Sequence, residues 1–530
     1  MVARRVAGRA ITALAALFVL FALLAPSDLD LFAPEAFLRL PVEALLGVVL
    51  LVVLPQRARP VAALAGGALL GLLLVLKVLD IGFDLVLYRP FDPVLDWPLL
   101  RPAVEFLDVT AGRAGTIAAV VLAGLLVLAV VVLMALAVSR LGGVVSRHRL
   151  AATRAVAVLV VVWISLAVPG AEIASRDAVA FVHGHARQVR ESWQDQRAFA
   201  VDAAVDAFRD TPGERLLTAL RGKDVVLAFV ESYGRDAVED PRLSAGVREV
   251  LDAGTRRLAE AGYAARSGFL TSPTAGGGSW LAQATLLSGL WIDNQQRYDT
   301  LVAGDRLTLS GAFRRAGWRS VGVVPGITRA WPEGRFFGYE RIYAAADLGY
   351  RGPRFGYATT PDQYTLAAFQ RAERAAATGP VMATIPLVTS HAPWSPTPRP
   401  VGWDELGDGS VFNGTASGED APDAIFGRDP ARVRADYGDS IGYSLNALVS
   451  YVIEHGDDDL VLVFLGDHQP AQVVTGADAG RDVPVTVVAR DPAVLARISD
   501  WGWSEGLRPG PDAPVWPMNS FRDRFLTAFS

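Results

Sequence analysis

Four stretches of this chain place polar side chains capable of metal or nucleophile chemistry directly after apolar runs. In "VVLAFVESYGR", Glu231 follows a run suited to a buried strand. A carboxylate is costly inside a core, so Glu231 belongs either at the strand tip, facing a site, or on an exposed loop. In "LVLVFLGDHQPA", Asp467 and His468 end a very apolar run. Adjacent Asp and His at a strand end can both turn toward one cation. In "SPTAGGGSWLAQATLLSGLW", three glycines deliver the chain to Ser279, and Leu281, Ala284 and Leu287 mark the apolar face of a following helix. Ser279 then stands at a helix N-terminus, where unpaired N–H groups favour an alkoxide or an attached phosphoryl group. The plainer alternative is a capping serine after a flexible turn. In "LVTSHAPW", His391 ends a further apolar run and is read equally as a site residue or as a hydrogen-bonded structural imidazole.

The elements that must position these residues alternate. Strand-like runs lie at 224–231, 319–326, 381–390, 460–468 and 483–491, with helical stretches at 243–262, 280–290, 362–377 and 436–455. Near-continuous apolar strands separated by helices predict a mostly parallel, doubly wound α/β sheet covered on both faces. Ligands in such sheets bind at the carboxyl ends of the strands, where Glu231, Asp467 with His468, and His391 fall. The chain has no cysteine, so a metal must rest on Asp, Glu, His, Ser or Thr. A net charge of -5 gives no reason to expect a nucleic-acid partner.

The first third is different. Apolar residues make up 52% of the chain and its mean hydropathy is +0.31, which calls for membrane segments. Apolar runs at 10–25, 42–55, 61–79, 115–138 and 151–169 predict five spans. Arg4, Arg5, Arg9, Arg57, Arg59, Arg140, Arg147, Arg149 and Arg154 fall on one side. The other side mixes arginine with Asp80, Asp84, Asp92, Asp96, Glu105 and Asp108. By the positive-inside rule the N-terminus is cytoplasmic and everything after about residue 170 is outside. "LLAPSDLD" is a poor cleavage site, which weighs against a removed signal peptide at 1–25. Three segments follow: a five-helix membrane domain at 1–170, an amphipathic connector at 171–221 lying at the membrane surface, and a catalytic domain at 222–530. His183 and His185 form an HxH pair on the connector and are read as solvated, since no carboxylate cluster accompanies them.

Together, and in this order, these pieces resemble the sulfatase-like branch of the alkaline phosphatase superfamily. Within it they look most like membrane-embedded lipoteichoic acid synthases and phosphoglycerol transferases. The resemblance rests on "ES" at Glu231-Ser232, a nucleophile before a helix ending in "LLSGL", "SHAPW", and a late "GDH". "FGYERIY" at 337–343, Pro361-Asp362 and the loop "LYRPFDPVLD" at 87–96 add to it. Ten residues separate Ser279 from Gly289 of "LLSG", as in the sulfatase signature. The resemblance implies that Glu231, Ser279, Asp467 and His468 bind one divalent cation, manganese, with magnesium or zinc as alternatives. It makes Ser279 the nucleophile and His391 a contact to the phosphate or its leaving group. Trp331 and Arg335, with Arg329 as a substitute, would bind the phosphoglycerol group, although the spacing there departs from the family. The family commonly uses threonine as nucleophile, and serine here leaves donor and acceptor open.

Within that superfamily the residues sort the chemistries. Formylglycine formation in sulfatases needs Pro and Arg after the nucleophile, and "WLAQ" follows Ser279. A second metal site would need more histidines than His391, His455 and His468. Phosphoethanolamine transferases usually carry disulfides, and cysteine is absent. The resemblance therefore implies transfer of glycerophosphate from a membrane lipid such as phosphatidylglycerol to an envelope glycan or glycolipid, at a bacterial cell membrane. A sulfatase-like hydrolase, a phosphoethanolamine transferase and an inactive envelope-assembly scaffold are the alternatives. The orientation is testable. A reporter active only outside the cytoplasm should be active when fused after Ser530 and silent when fused near residue 145; the reverse pattern overturns the topology.

Overall fold

The apolar runs of the second half build one nine-stranded sheet in the computed structural model, which describes residues 2–168, 174–355, 357–394, 396–414 and 429–530. Its strands are β1 (Asp224–Val230), β2 (Ala264–Thr271), β3 (Arg319–Val324), β4 (Arg341–Ala344), β5 (Val381–Leu387), β6 (Leu460–Gly466), β7 (Asp482–Ala489), β8 (Ser504–Glu505) and β9 (Val515–Pro517). The order is β8-β2-β7-β6-β1-β5-β3-β4, with β9 beside β2. Strands β6, β1, β5, β3 and β4 run parallel to one another. The expected strand at 483–491 forms as β7, but it pairs antiparallel with both β6 and β2. Strand β2 escapes detection in the sequence because "AARSGFLT" alternates small, polar and apolar residues.

Burial follows the two-residue strand period. Along β1, Val225, Leu227 and Phe229 enter one apolar core. Val226, Ala228 and Val230 enter a second core on the opposite face. Helix α8 (Ser279–Ser288) lies in the first core. Helices α7 (Ser244–Glu260), α9 (Asp362–Phe369) and α10 (Pro430–His455) contribute to the second. The sheet is thus covered on both sides, as its apolar strands require. Asp429 caps α10 by accepting from the Ala431 amide, with Pro430 in the first turn.

Contacts divide the chain into two units, one comprising Met1–Asp84, Arg89–Asp108 and Gly112–Gln194, the other Leu85–Tyr88, Val109–Ala111 and Asp195–Ser530. The helices of the first third are α1 (Val2–Leu24), α2 (Val42–Val53), α3 (Arg59–Leu87), α4 (Leu100–Arg147) and α5 (Arg149–Ala167), followed by α6 (Asp177–Ala204). Among the described residues, four stretches are long and apolar enough to cross a membrane: Arg4–Leu24, Arg59–Leu87, Gly112–Arg147 and Arg149–Ala167. The expected second span is helical but has only 12 residues. At 1.5 Å per residue it reaches about 18 Å, short of a hydrocarbon core of about 30 Å. The junction expected at 170–171 lies outside the described residues.

Several buried polar groups within the first unit pair with one another. The buried Lys77 ammonium donates to the carbonyls of Ala22, Leu23 and Ala25 at 3.1, 3.3 and 2.7 Å, capping the end of α1. In the loop at 87–96, Asp96 accepts from the Asp92 amide at 2.7 Å and from Arg89 at 2.5 and 2.6 Å. His183 is exposed, as expected. His185 is a correction: it is half-buried, with Nε2 3.3 Å from Asp80 Oδ1. Its carboxylate partner comes from α3, too far away in sequence for the HxH spacing to reveal.

Helices α3 and α4 approach through a small-residue stripe. A Cβ on Gly67 would meet Ala135 Cα at 2.6 Å and one on Gly71 would meet Val131 Cα at 2.8 Å, whereas Gly66 has open space around it. Gly71→Val should therefore destabilise the detergent-solubilised protein by about 2 kcal/mol through overpacking. Gly66→Val should change the unfolding temperature little, and equal effects of the two would refute the close contact.

Candidate active site

The β1–β6 register pairs Val230 with Gly466. The residues that follow, Glu231 and Asp467, therefore emerge together at the carboxyl edge of the sheet. A Cβ at Gly466 would lie 1.8 Å from the Tyr233 carbonyl oxygen, so only glycine lets the two strand ends come this close. The Glu231 amide still pairs with Leu387 O at 3.2 Å, and Ser390 Oγ donates to the Glu231 carbonyl at 2.7 Å. Ser232 then turns into the left-handed region at φ 57°. Its amide donates to Asp467 Oδ1 at 2.8 Å, and its carbonyl accepts from Tyr437 at 2.8 Å.

Ser279 arrives from β2. That strand is antiparallel to β7, and β7 to β6, so β2 ends at the same edge as β1 and β6. Ser272 Oγ donates to the Asp467 carbonyl at 2.6 Å, and the Gly276 amide to Gln469 O at 2.8 Å, fastening the glycine loop to the chain after β6. Gly278, at φ 81°, is the residue that caps α8, a conformation open to glycine. Ser279 is therefore the first helical residue and not the capping serine of the plainer reading. Its Oγ donates to Glu231 Oε2 at 2.8 Å and meets His468 Nε2 at 3.2 Å.

His468 is oriented from behind. Its Nδ1 is 2.8 Å from Gln469 O, which assigns a hydrogen to Nδ1 and turns Nε2 toward Ser279 and Glu231. Nε2 lies 3.2 Å from Glu231 Oε1 and 3.9 Å from Asp467 Oδ1. One ligand atom from each of Glu231, Asp467 and His468 falls within 4.8 Å of the other two. Asp467 Oδ1 takes the amides of Ser232 and His468, while Oδ2 is buried without a partner. Oxygen and imidazole donors about 3–4 Å apart, one of them orphaned, fit a single divalent cation whose ligands sit at roughly 2.0–2.6 Å.

The electrostatics agree with that fit. Burial pushes the Glu231 carboxyl up, but the hydrogen bond and charge of His468, with His391 nearby, outweigh it and hold the group well below the usual range. Burial and then the Glu231 charge push Asp467 up to about 8. Burial opposes charge on His468, yet Asp467 and Glu231 together raise it to about 9. Two adjacent buried carboxylates cannot both stay ionised without a compensating positive charge.

The other expected residues lie on the segments that follow β5 and β3. His391 is half-buried on the turn after β5, with Nδ1 2.7 Å from Ala392 O. Its charge reaches Glu231. Trp331 stacks on Phe337 at 5.7 Å and packs against the first core. Arg329 and Arg335 are exposed on the segment following the carboxyl end of β3. Supports not singled out from the sequence are Ser272, Ser390, Tyr357 and Tyr437. Ser390 adjoins His391, but nothing local marks Tyr437.

No protein-family profile matches the chain, and no curated protein matches it in sequence. Among solved structures, the integral membrane lipooligosaccharide phosphoethanolamine transferase A (EptA) from Neisseria meningitidis aligns over 98% of this chain and 95% of its own. The TM-score is 0.50 and the identity 13%. The chain has the EptA fold. The Streptococcus pyogenes phosphoglycerol transferase GacH, solved with sn-glycerol-1-phosphate, aligns over 63% of this chain and 90% of its own, with TM-score 0.38 and 12% identity. The Listeria monocytogenes lipoteichoic acid synthase LtaP aligns over 57% and 71%, with TM-score 0.37 and 13% identity. The EptA-like arrangement of apolar helices followed by an α/β domain is the one the sequence predicts.

The pKa directions set a pH test. Asp467 and His468 both have folded values above their ordinary ones, so their contribution favours the metal-free fold at low pH and is lost as pH rises through about 8 and about 9. Metal-free protein should therefore lose thermal stability across that window. Manganese should restore it, with a larger gain near pH 9 than near pH 6.5, because protons no longer compete for the ligands. A gain from manganese independent of pH would refute the ligand set.

Proposed function

We propose that this chain is a metal-dependent phosphoglycerol transferase of the sulfatase-like branch of the alkaline phosphatase superfamily, with Ser279 as nucleophile. The observation that carries the reading is the position of Ser279 Oγ. It lies at a helix N-terminus, inside a buried Glu231–Asp467–His468 cluster that leaves one carboxylate oxygen unpartnered. Glu231, Ser279, Asp467 and His468 would hold one divalent cation, manganese. Its charge would lower the proton affinity of Oγ and offset that of a phosphate.

The protein groups then divide the work. Ser279 Oγ, its proton given up to solvent, attacks the phosphorus of a membrane phosphodiester. The α8 N-terminus faces the anion that forms. His391 gives a proton to the departing diacylglycerol oxygen; an acceptor hydroxyl, passing its proton to His391, then displaces Ser279 from phosphorus. Trp331 and Arg335, with Arg329, bind the glycerol end of the donor. The donor is phosphatidylglycerol and the acceptor an envelope glycan or glycolipid. The membrane domain is 1–170, 171–221 is a connector at the bilayer surface, and 222–530 is the catalytic domain outside a bacterial cell membrane. A lipid donor explains the apolar helices. The likeness to a phosphoethanolamine transferase supports a second reading, in which phosphatidylethanolamine is the donor.

Purified protein with manganese should release diacylglycerol from phosphatidylglycerol in preference to phosphatidylethanolamine, and should leave an aryl sulfate intact. Mass spectrometry should find glycerophosphate on Ser279. Ser279→Ala should lower turnover by at least about 1,000-fold, and Ser279→Thr should retain a measurable fraction. Preference for phosphatidylethanolamine would select the second reading. Robust turnover by Ser279→Ala would falsify the mechanism.

A further inference from the structure

The turn that carries His391 is gripped from two sides by one upstream segment. Asp362 Oδ1 accepts from the Val388 and Thr389 amides at 2.8 and 3.0 Å, and its Oδ2 accepts from Ser444 at 2.6 Å. The Asp362 amide in turn donates to Thr389 Oγ1 at 2.9 Å. These bonds fix the backbone ahead of His391 and leave the ring free. A histidine ring turns about a broad terminal torsion, so a fixed backbone does not by itself aim the imidazole. Nδ1 is tethered to Ala392 O at 2.7 Å, which makes Nε2 the nitrogen that can exchange a proton. The remaining constraint is Tyr357. Its ring lies 4.1 Å from the imidazole, centroid to centroid, and only 19° from parallel. Such a stack covers one face of the imidazole and resists rotation of its plane.

We propose that Tyr357 is a positioning residue that holds the His391 imidazole in the orientation needed to protonate the leaving oxygen. The inference rests on the role given to His391 in the proposed function. In that step the Ser279 Oγ–phosphorus bond forms and the phosphorus–glyceride oxygen bond breaks. The bonding pair stays on the glyceride oxygen, which takes the proton from His391 Nε2. Tyr357 loses and gains nothing; it acts through the ring it stacks on. A leaving group that needs no proton should therefore be indifferent to Tyr357.

The test uses the full-length protein with manganese and two probes, phosphatidylglycerol vesicles and bis(p-nitrophenyl) phosphate, whose nitrophenolate departs without an acid. Tyr357→Ala should lower kcat on the lipid about tenfold, the scale of a misplaced catalytic group. Its kcat on the nitrophenyl diester should fall less than about twofold, with bound manganese unchanged. Tyr357→Phe keeps the stack and should recover at least about half of the lipid rate. In a His391→Ala background, Tyr357→Ala should cause no further loss, since the two substitutions then remove one function. Equal losses on both probes, additive losses in the double variant, or a phenylalanine variant as slow as alanine would each overturn the proposal. Histidine-labelled protein gives a readout independent of turnover. The imidazole signal absent from His391→Ala should move in Tyr357→Ala and hold in Tyr357→Phe. A signal that does not move overturns the stack. Absence of turnover with every glycerophospholipid, while that signal does move, overturns the donor assignment and leaves the stack intact.

Discussion

The parallel register of β1 against β6 sets the geometry of the candidate site. Val230 faces Gly466, so Glu231 and Asp467 leave the sheet as neighbours, buried and both capable of negative charge. Burial of two such groups together is unfavourable unless positive charge or hydrogen-bond donors compensate. The surroundings supply part of this. Two backbone amides point at Asp467 Oδ1, and the His468 ring lies between the carboxylates. The remainder, an orphaned Asp467 Oδ2 beside a His468 Nε2 that faces Glu231 and Ser279, is what a cation would satisfy. A one-residue slip of β6 would carry Asp467 away from Glu231 and leave each with a different set of donors.

Strand direction brings Ser279 to the same edge. Two successive antiparallel steps, β6 to β7 and β7 to β2, return β2 to the direction of the central strands. The loop after β2 therefore opens beside Glu231 rather than at the far side of the sheet. Ser272 and Gly276 attach that loop to the chain that carries Asp467 and His468. Placing the serine in the first turn of α8 adds the partial positive charge of the helix end at the point where phosphate charge would gather.

The first third obeys a different solvent. Where water is scarce, polar groups must find partners within the protein. The Lys77 ammonium meets this demand by taking three carbonyls at the end of α1. Small residues do the rest, Gly67 and Gly71 letting α3 and α4 approach to backbone contact. These devices act at fixed points along the long apolar helices, whereas α2, with 12 residues, packs against α5.

Local chemistry determined where the reactive residues could go. A charge directly after "VVLAFV" or "LVLVFLG" belongs at a strand tip or in a loop and not in the core, so Glu231, Asp467 and His468 stood out, and three glycines before an apolar helical pattern marked Ser279. The alternation of strands and helices likewise announced a sheet covered on both faces. What these residues face was decided elsewhere in the chain. Ser279 meets Glu231 across 48 residues and His468 across 189. His185 finds Asp80 across 105, and Tyr357 stacks on His391 from a different loop. The antiparallel run of β7 was equally hidden, because a strand buried on both faces reads the same in either direction. Side-chain type and hydrophobic period are properties of neighbours in sequence. Register, strand direction, tautomer and stacking are properties of neighbours in space, and only the folded chain supplies those.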